Sequence, residues 1–150
     1  MLNLSNLRGL LSQVVSPASL HTAVLFTPSG QLVSFASSPL RSKDEIRVIV
    51  GLGGEIWQET KEQGIGMVDS EIGRLVIIPV EQPTPHADGQ GEAEPLMILA
   101  LNGNESVSWK IMEAKARQVV GHLDKPVSEL REKLAVAPVS PIGNPPRVAR

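Results

Sequence analysis

Residues 96–127, LMILALNGNESVSWKIMEAKARQVVGHLDKPV, constrain the fold more tightly than any other part of the chain. An apolar run from Leu96 to Leu101 breaks at Asn102-Gly103-Asn104. A helix-period segment follows, in which Trp109, Met112, Ala116, Val119, Val120 and Leu123 share one face at steps of three and four residues. A strand feeding a helix with one apolar stripe requires a sheet for that stripe to cover. The segment carries none of the groups that break bonds. It reads as a packing element, and it points to a protein that works by holding others.

The rest of the chain supplies the sheet. Leu4, Leu7, Leu10, Leu11 and Val14 recur at helical spacing and predict an amphipathic helix at 2–15, stopped by Ser16-Pro17. Two short runs, 21–27 and 31–36, are rich in Val, Leu, Phe and Thr and are joined by Pro28-Ser29-Gly30, a hairpin turn. Ser42, with Glu45 three residues on, predicts a capping box at the start of a helix over 43–62. Strands are expected at 65–68 and 74–80, joined by Asp69-Ser70-Glu71-Ile72-Gly73. The second of these, RLVIIPV, is continuously apolar, as a strand covered on both faces must be. Residues 81–95, rich in Pro, Gly and acid, predict a long mobile loop. After Lys125-Pro126 a short turn of helix to Leu134 is expected, and then a disordered Pro-rich tail. The order is helix, two strands, helix, three strands, helix. Without parallel βαβ repeats, an α+β fold with a five-stranded antiparallel sheet and helices on its faces is the economical arrangement.

The helix at 43–62 has apolar residues on more than one side. Ile46, Ile49, Val50, Gly53, Ile56 and Trp57 form one stripe, while Val48 and Leu52 lie elsewhere. Gly51, Gly53 and Gly54 each cost roughly 1 kcal/mol of helix propensity relative to alanine. Two explanations fit: a helix buried more deeply than usual, or a helix that packs on its own sheet and also on a partner.

Composition excludes several functions. A chain of 150 residues, 41% apolar, is one domain's worth, enough to bury roughly two-thirds of its unfolded surface. The net charge of −2 and the scattering of the 14 Lys and Arg argue against nucleic acid. With zero cysteines there is no disulfide framework, thiolate metal site or cysteine nucleophile. Residues 1–15 lack the charged leader, apolar block and small-residue cleavage site of a signal peptide, no run reaches a membrane span, and Leu2 stands where N-myristoylation needs glycine. Any membrane association is expected to run through other proteins.

The chemical motifs are weak. Gly-Leu-Gly-Gly at 51–54 lacks both the dinucleotide and the phosphate-loop patterns and sits inside a helix. His21, His86 and His122 have no metal-ligand spacing, and no G-x-S-x-G elbow exists. Asp69 and Glu71 lie at a hairpin tip, where little burial is available to separate their pKa values. Glu113 and Arg117 are an ordinary i,i+4 surface pair. Ser38-Pro39 and Ser140-Pro141 are common dipeptides. Core filling accounts for Trp57 and Trp109, although Trp57 also stands where an interface anchor would. The chain is therefore expected to be no enzyme, with no catalytic residue, cofactor or metal.

The ESVSWKIMEAKARQVVGHLDKP segment at 105–126, LRGLLSQ at 7–13, AVLFTPSGQLVS at 23–34 and Ile56-Trp57 together resemble the roadblock-type subunits of the Ragulator complex, a late-endosomal adaptor. The resemblance covers about 1–130. The 81–95 loop is longer than that family's, 63–68 is a short and weak strand, and the Pro-rich tail is additional. The resemblance implies a roadblock (profilin-like) domain at 1–135, with one long helix on one face of the sheet and the terminal helices on the other, followed by a disordered tail at 136–150. It implies pairing with a second roadblock-type subunit through the middle helix and an adjoining edge strand. Carried over at the level of elements, the interface falls on Ile46, Ile49, Val50, Gly53, Ile56 and Trp57 of the helix and Ile65, Met67 and Val68 of the strand. It further implies contact with other Ragulator subunits, one of them an acylated membrane anchor, and recruitment of Rag GTPases to the cytosolic face of the late-endosomal, lysosomal or vacuolar membrane for amino-acid signalling to the target-of-rapamycin kinase. Two rivals stand beside it. A dynein-associated roadblock light chain would share the fold, and a pull-down of dynein intermediate chain would favour it. A small-molecule sensor or enzyme on a profilin-like sandwich would need a pocket with convergent polar groups, and a metabolite that raises the melting temperature would favour that.

Overall fold

A computed structural model describes residues 4–15, 19–39, 42–80 and 95–136. Its elements run α1 (Leu4–Val14), β1 (Leu20–Phe26), β2 (Leu32–Ser37), α2 (Asp44–Thr60), β3 (Gly66–Ser70), β4 (Gly73–Pro79), β5 (Ile98–Gly103) and α3 (Trp109–Val136). The strands form one five-stranded sheet in the order β2-β1-β5-β4-β3, and every pairing is antiparallel.

Alternation along the central strands divides the core in two. Leu75 and Ile77 of β4, Ile98 and Ala100 of β5, and Val24 and Phe26 of β1 face Ile46, Ile49, Ile56 and Trp57 of α2. Val76, Ile78, Leu99, Leu101, Ala23 and Leu25, the residues between, face Leu7, Leu11 and Val14 of α1 and Met112, Ala116, Val119, Leu123 and Val127 of α3. Both faces of RLVIIPV are covered, as its unbroken apolar run requires. The six-residue stripe expected of the last helix lies against the second of these cores, with Trp109 and Val120 at its margin.

Several boundaries differ from the sequence reading. β5 runs on through Asn102 and Gly103, which pair with Thr22 and Leu20 on one side and with Leu75 and Arg74 on the other. Gly103 serves there as a close-approach residue, because a Cβ would stand 2.7 Å from Val107 Cγ1 and 3.0 Å from the Ser19 carbonyl. β3 extends to Ser70, so Asp69 lies in a strand and only Glu71 and Ile72 turn the hairpin. Ser42 Oγ accepts the N–H of Asp44 at 3.1 Å rather than that of Glu45. The 28-residue α3 passes through Pro126 without a break. Proline forfeits the bond to the carbonyl four residues back, and that residue, His122, is exposed. The loop expected at 81–95, except Pro95, and the tail beyond Val136 lie outside the described residues, as do His86 and Ser140.

Gly73, at φ +112°, is in a conformation that side chains rarely adopt, and a Cβ there would run into the carbonyl of Gly103. Gly73→Ala is expected to lower stability by about 2 kcal/mol or more, measured by urea unfolding. A change of a few tenths would contradict the packing described.

Candidate partner-binding surface

At 3.6 residues per turn, successive residues of α2 are about 100° apart. Ile49, Gly53, Ile56 and Thr60 therefore cluster on one side, and Gly51 faces directly away from them. Burial follows this arithmetic. Ile46 is 4% exposed, Ile49 0%, Ile56 8% and Trp57 1%, and Val50 packs half-buried against the same core. A Cβ on Gly53 would lie 2.8 Å from Phe26 Cζ and 3.4 Å from Ile77 Cδ1, so this glycine lets the helix sit close on its own sheet. The six residues expected to meet a partner from α2 thus cover the chain's own β-sheet. The periodicity identified a real stripe, but the stripe faces inward.

The outward face is built from other residues. Val48, at 46% exposed, is one of the few large apolar side chains left open among the described residues. Around it lie exposed Arg47, Gly51, Glu55 and Gln58 and half-buried Gly54, while half-buried Leu52 packs against the α2 core as Val50 does. A Cβ on Gly51 or Gly54 would meet nothing within 4 Å. Their helix-propensity cost of roughly 1 kcal/mol each has no compensation among the described residues. It is compensated if another backbone comes close there. Val48, an apolar residue lying off the main stripe, was the sequence signal for this face; Leu52, the other such residue, turns to the α2 core.

β3 packs beneath the C-terminal half of α2. A Cβ on Gly66 would lie 2.6 Å from Ile56 Cγ2 and 2.7 Å from Thr60 Oγ1, which fixes the C-terminal half of α2 against the start of the strand. Of the strand-side residues expected at the interface, Met67 is 42% exposed. Ile65, just before β3, packs half-buried on the α1/α3 core, and Val68 on the α2 core. Among the described residues β3 pairs only with β4 and is a sheet edge. Such edges are normally protected or paired.

Polar chemistry is sparse elsewhere. His21 is buried, with Nδ1 2.9 Å from Thr22 Oγ1, and His122 is exposed on α3. Asp69 and Glu71 are exposed. Ser38 is buried, so its hydroxyl is closed to a modifying enzyme in the folded chain. Glu113 and Arg117 form the expected i,i+4 ion pair at 2.9 Å. Among the described residues no group of three or more His, Asp or Glu could hold a metal ion, and no helix is long and apolar enough to cross a membrane.

No family model matches the chain, and no curated protein matches it. Solved structures do. The roadblock/LC7 domain from Streptomyces avermitilis superposes with a TM-score of 0.59, covering 85% of this chain and 99% of its own at 15% identity. The chain has the roadblock/LC7 fold. MglB of Myxococcus xanthus is similar at a TM-score of 0.58 and 12% identity, over 87% of this chain and 95% of its own. The gliding protein MglB from Thermus thermophilus reaches 0.59 at 11% identity, over 84% and 91%. These identities establish a shared roadblock fold and nothing finer.

Because Gly51 and Gly54 have open space around them, Gly51→Ala and Gly54→Ala are each expected to stabilise the isolated chain by about 0.5–1 kcal/mol through helix propensity. Thermal melting of the single variants checks this. A fall in melting temperature would mean that these positions are packed from within.

Proposed function

We propose that this chain is a non-catalytic adaptor that pairs with a second roadblock-type subunit and serves a small GTPase through that pair. The observation that carries the reading is the outer face of α2, where Val48 is exposed and Gly51 and Gly54 have nothing of the described chain upon them, together with the open edge of β3. A flat helix face next to a strand edge suits a partner that lays a helix on the one and a strand along the other. The finer assignment rests on the 105–126 segment and its resemblance to Ragulator subunits. On that reading the chain works in a Ragulator-type assembly, held by an acylated companion at the late-endosomal, lysosomal or vacuolar surface, and helps recruit Rag GTPases for signalling to the target-of-rapamycin kinase.

The pairing surface then comprises Arg47, Val48, Gly51, Gly54 and Glu55 of α2 with the edge backbone of β3; Leu52 packs on the α2 core, and Met67, opposite Val76, lies on the α1/α3 side of the sheet. Ile46, Ile49, Gly53, Ile56 and Trp57 support it from beneath, and Val50, Ile65 and Val68 flank it. Val48→Asp and Gly51→Arg are expected to abolish co-purification with a co-expressed roadblock-type subunit while leaving the circular dichroism spectrum unchanged. Ile49→Asp, which buries an unpaired charge, is expected to unfold the chain instead. Undiminished pairing of the folded Val48→Asp and Gly51→Arg variants on size-exclusion chromatography would sink the assignment. Recovery of dynein intermediate chain in place of GTPase-scaffold subunits would keep the surface and change the role.

A further inference from the structure

β3 is five residues long, and among the described residues it is paired along one side only. β4 holds it along that side, and Gly66 and Val68 seat it against α2. The turn carries its own bonds: Ser70 Oγ donates to the Gly73 carbonyl at 2.8 Å, and the Ile72 N–H donates to Ser70 Oγ at 3.2 Å. Two further bonds arrive from β5, on the other side of β4. Asn102 of β5 donates from Nδ2 to the carbonyl of Ile72 at 3.1 Å and to that of Arg74 at 3.0 Å. One amide thus holds both sides of Gly73, the residue whose backbone no side chain would tolerate. The next step reaches α3, since Arg74 Nη1 donates to the Val107 carbonyl at 2.9 Å and its guanidinium lies 4.9 Å from the Trp109 ring centre.

Asn102 is 0% exposed, and its Oδ1 has no hydrogen-bond partner among the described residues. A side chain there for packing alone would be better replaced by an apolar one of similar size, which leaves no buried acceptor unpaired. We propose that Asn102 is a positioning residue for the pairing edge. Its amide clasps the β3–β4 hairpin from the far side of β4 and fixes the line along which β3 meets a partner, without touching that partner. This rests on the reading of β3 as part of the pairing surface.

Asn102→Leu separates position from stability, since it removes both clasping bonds together with the orphaned oxygen. In the free full-length chain, amide exchange of β3 and of Ile72 should quicken at least tenfold, while β1 and the rest of β5 keep their wild-type rates. Affinity for the co-expressed roadblock-type subunit should fall at least tenfold. Unchanged hairpin exchange, or equal acceleration throughout the sheet, would overturn the clasp. A loosened hairpin with unchanged affinity would overturn the positioning role. If the wild-type chain binds no such subunit, the pairing reading fails by itself and the exchange result still judges the clasp. Should Asn102→Leu not fold, the wild-type side-chain amide decides. Its Asn102 Nδ2 protons should exchange at least a hundredfold more slowly than those of exposed Gln118, and equal rates would overturn the proposal.

Discussion

The structure depends on the need of β4 and β5 to bury both of their faces. Leu75 and Ile77 point one way and Val76 and Ile78 the other, and all four are at most 1% exposed. Each such side chain contributes roughly 1.5–3 kcal/mol when removed from water. A sheet with two such faces cannot be satisfied by one layer of helices. α1 and α3 cover one side and α2 must cover the other alone, which leaves the outer surface of α2 with no further element of the described chain upon it.

That isolation explains why glycines three residues apart or less do different things in one helix. Gly53 faces the sheet, where Phe26 leaves no room for a Cβ. Gly51 and Gly54 face away, into open space. The first is explained by packing within the chain. Among the described residues nothing compensates the other two, and β3 is paired along one side only. A single partner would satisfy both features, which is why the proposed function rests on this surface rather than on any cluster of reactive groups.

Much of the fold was legible because it follows from short-range pattern. The first hairpin follows from Pro28-Ser29-Gly30, the two-faced strand from RLVIIPV, and the stripe of α3 from its spacing. Where the sequence misled, tertiary contacts overrode local signals. Asn102-Gly103 reads as a strand end, yet the close approach of Val107 and Ser19 requires glycine within β5. Pro126 reads as a stop, yet α3 continues because the bond it forfeits would have gone to a carbonyl on the exposed side. The residues expected at the interface raise a different point. Periodicity says which residues share a face and is silent on whether that face looks inward, and the richer apolar stripe of α2 was the one the sheet needed. Of the weaker signal, Val48 lies on the outward side of α2 and Leu52 on the core side.

The central claim is that the outer face of α2 and the edge of β3 form one continuous docking surface. The most direct measurement is hydrogen–deuterium exchange on the full-length chain, free and in complex with a roadblock-type subunit. Protection confined to the exposed side of α2 around Val48–Glu55 and to β3, with α1 and the outer face of α3 unchanged, is the predicted result. Protection centred on α1 or α3, with α2 and β3 exchanging as in the free chain, would contradict the account.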